Sequence, residues 1–374
     1  MPRFLLIPDK FKGSLSASDV IQSIADAIKA TVADSQIVSV FASDGGDGFL
    51  QSVSEYIPIE CIDIKTVDPL GRPLVSPVGF DSAGKTAYIE LAKASGIVLL
   101  NEDEKNPMLT STYGTGLQIR EAIRLGANKI YLGIGGSATN DGGIGIANAL
   151  GYKFFDENDC ELAPIGKNLT KIKSIESNFK YHAISFYAIN DVRNPLYGKN
   201  GAAYVYAKQK GASVEEIEVL DSGLQNLDTI VQKEFGLQNA HISGSGSAGG
   251  TGFGLKTFCN ASYIGGIEFL VQLAQVDSLL QKGTIDYIVT GEGTIDSQTL
   301  YGKLISGVLK VANTYKIPVI GVCGVKRLTK TEEEKLGLQA IIEIADKNKS
   351  LEYNMNNAAE LLTSKLADFL KNTI

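Results

Sequence analysis

The sequence predicts an α/β fold: two α/β domains around a cleft, one doubly wound in the Rossmann or flavodoxin manner. That domain is built from both chain ends, and the middle of the chain is inserted as the second. Three observations carry this. The chain has 374 residues, more than one hydrophobic core ordinarily serves, so two domains are the natural expectation. At both ends short, β-prone apolar runs alternate with amphipathic stripes, the order of a parallel sheet. From about residue 61 that alternation gives way to consecutive strands joined by turns. The expected boundaries are 1–65 plus 256–374 for the doubly wound domain and 66–255 for the insert.

The elements follow in order. Phe4 to Ile7 is a short buried-type strand running into Pro8-Asp9-Lys10-Phe11-Lys12-Gly13-Ser14. Ser16 with Asp19 resembles a capping box, and Val20, Ile21, Ile24 and Ile28 form a helical stripe. Ile37 to Phe41 is a second strand, followed by Ser43-Asp-Gly-Gly-Asp-Gly48 and a helix from Phe49. Cys61 to Val67, Leu74 to Phe80 and Thr86 to Leu91 read as strands with turns at Pro69 to Arg72 and Asp81 to Gly84. A helix over Thr115 to Leu125 precedes the strand Asn128 to Leu132. Asn140 and Asp141 are N-cap residue types before a helix opening at Ile144. Strands are expected near Ile184 to Ile189 and Ala202 to Tyr206, and a helix near Ile264 to Leu280. Ile285 to Val289, Val319 to Val322 and Ala340 to Ile344 are then buried strands alternating with helices, closed by a helix over Asn354 to Leu370.

Bulk numbers narrow the function. Hydrophobic content of 44%, charged content of 21% and 40 glycines against 10 prolines describe a loop-rich α/β enzyme. A net charge of −7 argues against a nucleic-acid surface. Cys61, Cys160, Cys259 and Cys323 show no paired spacing, so neither a zinc site nor a disulfide framework is suggested. The opening MPRFLLIPDK is too short for a signal segment and no later run approaches membrane length, so a cytoplasmic location is expected. His182 and His241 have no neighbours that complete a catalytic relay. The oligomeric state, a homodimer included, is left open.

The strongest signal is Gly133-Ile-Gly-Gly-Ser-Ala-Thr-Asn-Asp-Gly-Gly143. Its glycines and hydroxyls sit in a strand-to-helix turn, where bare N–H groups and the helix dipole can meet an anion. A plain tight turn is the alternative, but the density of Gly and hydroxyls disfavours it. Ser243 to Gly254 is a second glycine-dense stretch suited to phosphate. Two pattern matches are decoys. Gly79 to Thr86 has P-loop spacing, but Thr86 to Leu91 alternates as a strand, so a hairpin turn is expected. Gly244 to Gly249 has dinucleotide spacing, but it follows a poor strand and more glycines come after it in place of a helix. Acidic residues expected in or beside glycine-rich turns are Asp44, Asp47, Asp141, Asp191, Glu292 and Asp296. Phosphoryl transfer needs carboxylates to hold Mg²⁺ and to take the acceptor proton. The basic partners are Lys10, Lys12, Arg72, Arg193 and Lys303.

Seven stretches then stand in one order: Asp9 to Ala17, Ser43 to Gly48, Asp68 to Gly71, Thr112 to Gly116, Gly135 to Gly143, Asp191-Val with Asn194-Pro-Leu, and Thr290 to Thr299. Together they strongly resemble the bacterial type-1 glycerate kinases over nearly the whole chain. That family usually carries Glu where Asp47 stands and Arg where Thr294 stands. The resemblance implies transfer of the ATP γ-phosphoryl group to D-glycerate with Mg²⁺, mostly at the 2-hydroxyl. In the mechanism expected from it, Asp191, Asp296 and Lys10 are catalytic: Asp191 is base or orienter of the acceptor hydroxyl, Asp296 binds Mg²⁺ or shares that role, and both carboxylates are candidate metal ligands. Lys10, Lys12 and Ser14 would hold anionic substrate or the transferring group. Gly135, Gly136, Ser137, Thr139, Asn140, Gly244, Ser245 and Gly249 would cradle phosphates or the glycerate carboxylate, with Thr115 and Glu292 beside them. A kinase of the 3-hydroxyl or of another small polyol, a dehydrogenase, and a non-catalytic hydroxy-acid sensor are the competing functions.

Overall fold

The computed structural model describes residues 1–40, 48–301 and 304–373. In chain order the strands are β1 (Arg3–Pro8), β2 (Gln36–Ser39), β3 (Glu60–Val67), β4 (Pro73–Asp81), β5 (Thr86–Glu90), β6 (Lys129–Gly133) and β7 (Tyr152–Phe155). They continue as β8 (Ser174–Ser177), β9 (Ser185–Ile189), β10 (Ser262–Ile264), β11 (Tyr287–Asp296), β12 (Val319–Arg327) and β13 (Ala340–Glu343). The chain divides into two compact units, Met1–Ser43 with Gly266–Ile374, and Asp44–Gly265. These divisions differ from 65 and 255 for a physical reason. β3 pairs with β4 along its whole length, and β10 pairs with β9, so both belong with the middle of the chain.

The unit made from both chain ends holds a five-stranded sheet in the order β13-β12-β11-β1-β2, and every pair is parallel. Counted along this unit the order is 2-1-3-4-5, the flavodoxin-like doubly wound arrangement. β1 is apolar because it is covered on both faces: Phe4, Leu5, Leu6 and Ile7 are all buried. Helix Ala17–Thr31 starts at Ser16, whose Oγ accepts from Asp19 N at 3.2 Å while Ser16 N donates to the Asp19 carboxylate at 3.1 Å. Its stripe Val20, Ile21, Ile24 and Ile28 packs with Leu362, Leu366 and Leu370 of helix Ala358–Thr373 onto one sheet face. Helix Leu304–Tyr315 packs along β11.

The middle unit holds a six-stranded sheet, β10-β9-β6-β5-β4-β3. β10, β9, β6 and β5 run parallel; β4 and β3 complete an antiparallel meander. Tyr88, Tyr131 and Tyr187 are directly paired across β5, β6 and β9, and stack with centroids 5.5 and 4.6 Å apart. The P-loop look-alike is the β4–β5 hairpin turn, with Asp81 paired to Thr86.

Four elements depart from the sequence expectation. Ala202 to Tyr206 is not a strand: Ala203–Ala207 is a single π-helical turn that buries Ala203 and Ala207 against Ile217 and Leu220. The stretch after Gly249 is a helix, Ser247–Cys259, entered through Ala248, Gly249 and Gly250 in left-handed geometry. The helix expected over 264–280 is two, Gly266–Leu273 and Val276–Gln281, broken where Gln275 takes φ 52°. The closing helix is likewise two pieces, Leu351–Asn356 and Ala358–Thr373.

Candidate active site

In the middle unit the parallel strands β5, β6 and β9 end at Glu90, Gly133 and Ile189, and the loops that follow carry most of the candidate residues. Ligands of open α/β sheets sit at such carboxyl ends. After β6 the chain bends at Gly136, which is exposed with φ 70°, and its carbonyl accepts from Ile97 N at 2.9 Å. Ala138 N donates to Ser95 O at 2.9 Å, and the Ser95 and Thr115 hydroxyls lie 2.7 Å apart. Thr115 is thereby packed into the base of the loop, in the first turn of helix Tyr113–Arg124.

Asp141 organises the far side of the loop. Its carboxylate accepts from Thr112 N at 2.8 Å, Thr112 Oγ1 at 2.7 Å, Gly143 N at 3.1 Å and Gly145 N at 3.3 Å. It is fully buried, and burial raises its pKa although those four bonds pull the other way. Helix Ile144–Ala149 is therefore entered from Gly143 in left-handed geometry, and not from an Asn140 or Asp141 N-cap as the sequence suggests. Asp141 still serves the helix start by taking the N–H groups of Gly143 and Gly145.

The second glycine-dense stretch packs directly on the first. Gly142 N donates to Gly249 O at 3.1 Å. Gly249 has φ 68°, and a Cβ there would lie 1.9 Å from the Thr139 carbonyl oxygen, so only glycine fits. At its other end Asn190 Nδ2 donates to Gly244 O at 3.5 Å, and Gly246 N donates to Asn194 O at 2.9 Å. Ser245 Oγ donates to Asn239 O at 2.6 Å and is fully buried, so its hydroxyl is spent inside the fold. Asp191 lies two residues beyond β9 and is exposed, in a turn where Val192 N donates to Asn190 Oδ1 at 2.7 Å. The structure thus gathers Thr115, the Gly135 to Asn140 loop, the Gly244 to Gly249 stretch and the Asp191 turn into one cluster on this unit.

Two groups in that cluster were not singled out from sequence. Lys210 is 4% exposed, and its Nζ donates to Ser137 Oγ at 2.7 Å and to Thr139 O at 2.6 Å. Burial lowers its pKa to about 7, with Asp141 acting in the opposite sense. Thr112 was noted only as part of a motif. The available signal for Lys210 was the Gly211 that follows it, which takes φ 98°. Thr139 Oγ1 and both polar atoms of the Asn140 side chain are buried with no hydrogen-bond partner. Buried polar groups are normally satisfied, so these atoms are the unpaired polar groups of the loop.

The unit built from the chain ends carries a separate cluster at its strand-order switch, between β1 and β11. A pocket of about 700 Å³ is lined by Lys10, Lys12, Ser14 and Glu292, together with Arg327, Lys347 and Lys349, which sequence reasoning missed. Lys10 and Lys12 are exposed in the turn after β1. Ser14 Oγ donates to Met355 O at 2.8 Å. Glu292 and Asp296 lie within β11, not in a turn as the sequence suggests, because the strand runs on to Asp296 beside β12. Thr299 links them: its hydroxyl donates to Glu292 Oε1 at 2.5 Å, and it accepts from Asp296 N at 3.2 Å.

Other candidates fall elsewhere. The Arg72 guanidinium is held by Asp68 and Glu104 as a structural pair. Arg193, His182 and His241 are exposed. Asp44, Asp47 and Lys303 lie outside the described residues. Among the described residues no three His, Cys, Asp or Glu side chains converge as a metal cage. Asp191 and Asp296 stand on different units. No helix of the described residues is long and apolar enough to cross a membrane.

A doubly wound unit with a charged pocket at its switch point, and a second α/β unit with glycine-dense loops at its strand ends, have the architecture of an α/β enzyme. The sequence matches the Glycerate kinase family over residues 4–373. It is 35% identical over 369 residues to a glycerate kinase of Bacillus subtilis strain 168, covering 98% of this chain and 96% of the relative. It is 37% identical over 325 residues to the glycerate 2-kinase of Escherichia coli K12, covering 86% and 85%. A solved structure of a glycerate kinase 2 from Salmonella typhimurium LT2 superposes with a TM-score of 0.82 at 33% identity, covering 99% of this chain and 98% of that one. The chain belongs to the glycerate kinase family, and it is a kinase.

Proposed function

We propose that this kinase phosphorylates D-glycerate from ATP at the 2-hydroxyl, giving 2-phospho-D-glycerate and ADP. The observation that carries the proposal is the Gly135 to Asn140 loop: a glycine-bearing turn at the carboxyl end of β6, backed by a buried lysine and holding unpartnered polar atoms on Thr139 and Asn140. Such a loop suits a carboxylate or phosphoryl oxyanion. The relative named a glycerate 2-kinase supports the position of transfer.

In this reading Asp191, exposed on its turn, takes or orients the proton of the acceptor hydroxyl. Ser137, Thr139 and Asn140 orient an anionic group by donated hydrogen bonds, with Gly244 and Gly249 keeping the loop's second wall close. Lys10 and Lys12 supply positive charge at the pocket beside β1, which Glu292 also lines. Mg²⁺ ordinarily keeps several waters and needs one or two carboxylates beside the nucleotide phosphates. Asp191 and Asp296 are the carboxylates proposed for it. When bound, it neutralises charge developing on the transferred group. A cytoplasmic location is part of the same proposal.

The test is ADP release from MgATP with and without D-glycerate. Glycerate-dependent ADP supports the proposal. ADP formed only with another small hydroxy acid or polyol would overturn the substrate, and ADP formed with no nucleotide preference for ATP would overturn the donor.

A further inference from the structure

Lys210 is buried and makes no salt bridge among the described residues; the nearby carboxyl of Asp141 acts on it without touching it. Both of its acceptors, Ser137 Oγ and Thr139 O, are neutral, and no carboxylate lies within ion-pair distance among the described residues. An ammonium has three protons, so one remains after those two bonds. A buried charge without a counter-charge is costly, and that cost is relieved when an anion arrives. The bond to Ser137 has a second consequence. Because Ser137 Oγ accepts from Lys210, its own hydrogen is free to point away from the lysine as a donor. Thr139 Oγ1 and the Asn140 amide, buried and unpartnered, lie two and three residues further along the loop.

We propose that Lys210 is a positioning residue for the anion held by the Gly135 to Asn140 loop. It supplies compensating charge from behind the loop and, through its bond to Ser137 Oγ, sets the Ser137 hydroxyl as a donor to that anion. The inference rests on the kinase reading of the loop and deepens it. The ligand chemistry is an oxyanion, whose two sources are the glycerate carboxylate and a nucleotide phosphate.

The charged surroundings are few. Asp141, from the loop, acts on the ammonium in the favourable sense, and its carboxyl group is already held by Thr112, Gly143 and Gly145. Lys208 of the same turn is exposed, and the neighbouring Lys105 meets Gly211 through its backbone carbonyl. Lys210 titrates at about 7 without ligand. An anion favours its protonated form, so binding above that pH takes up a proton. Affinity then falls by up to about tenfold per pH unit until the pKa of the bound state is passed.

Titration calorimetry of the full chain tests this with D-glycerate, MgATP and inorganic phosphate as separate titrants, between pH 7 and 9, in buffers of differing ionisation heat. The ligand that occupies the loop is expected to bind with proton uptake and to weaken with rising pH, while the other is flat. Lys210→Met should raise its Kd by about 10- to 100-fold and abolish the proton uptake. Ser137→Ala, which removes one oxygen, should weaken the same ligand, and the double variant should bind no worse than Lys210→Met alone. Should Lys210→Met fail to fold, the pH dependence of the wild type and of Ser137→Ala carries the test. Wild-type proton uptake persisting in Lys210→Met, or no proton uptake for any of the three anions, overturns the inference. If phosphate shows the effect and neither D-glycerate nor MgATP binds, the inference stands and the kinase reading of the loop falls.

Discussion

The stability of the middle unit is expected to depend on pH through Lys210 even with no ligand present. The folded chain releases that proton at about 7, against an ordinary lysine value of 10.5. Between those values the unfolded chain holds the proton and the folded chain does not, so stability rises with pH. That contribution is fully present above 10.5 and is lost as pH falls through 7. The slope approaches a factor of about ten in the folding equilibrium per pH unit, and from pH 7.5 to 9.5 it amounts to roughly 2–3 kcal/mol. Lys210→Met keeps much of the side-chain length and removes the titrating group, so this part of the slope should vanish. The absolute stability of the variant is not the readout, because it combines relief of a buried cation with the loss of two hydrogen bonds. Urea unfolding at several pH values, followed by far-ultraviolet circular dichroism because the chain has no tryptophan, gives both curves. Groups that titrate in both proteins cancel in the difference. A difference between wild type and variant that stays flat from pH 7.5 to 9.5 would refute the buried lysine without a salt-bridge partner.

Three further outcomes are expected. Asp191→Asn should lower kcat by about 10²-fold or more with little change in thermal stability, since a proton acceptor is lost from an exposed turn; near-native turnover would remove Asp191 from the chemistry. Asp296→Asn should lose activity that excess Mg²⁺ partly restores, and a loss insensitive to Mg²⁺ would count against a metal role. Gly249→Ala should destabilise by about 2–4 kcal/mol, because its Cβ would sit 1.9 Å from Thr139 O at φ 68°. Gly236→Ala, at φ 67° with nothing within 4 Å, should cost only about 1–2 kcal/mol; equal melting temperatures for the two variants would contradict the close approach.

Much of the fold was legible because it rests on local pattern. The all-apolar run Phe4 to Ile7 reads as a strand buried on both faces, and Ser16 with Asp19 gives the helix start, since both signals are short-range. The P-loop look-alike could be set aside because Thr86 to Leu91 alternates as a strand. What escaped the sequence depends on distant partners. Ala202 to Tyr206 has strand-like residues, but its alanines are buried against the helix Val214–Phe235, and that packing selects a helical turn. Lys210 sits in a run with Lys208 that looks like a solvated surface, and only the approach of Ser137 and Thr139 shows it to be buried. Ser245 looked like a phosphate ligand because its neighbours are glycines, yet its hydroxyl is taken by Asn239 O. The glycine-rich turns could be read as anion loops, whereas which hydroxyls remain free is decided by the folded neighbours.

The central claim is that the 2-hydroxyl of D-glycerate receives the phosphoryl group of ATP. The most direct measurement is MgATP turnover with D-glycerate, coupled through enolase with no phosphoglycerate mutase present. Signal without mutase is expected, because enolase consumes 2-phospho-D-glycerate directly. ADP formed while the enolase signal waits for added mutase would place the transfer on the 3-hydroxyl and contradict it.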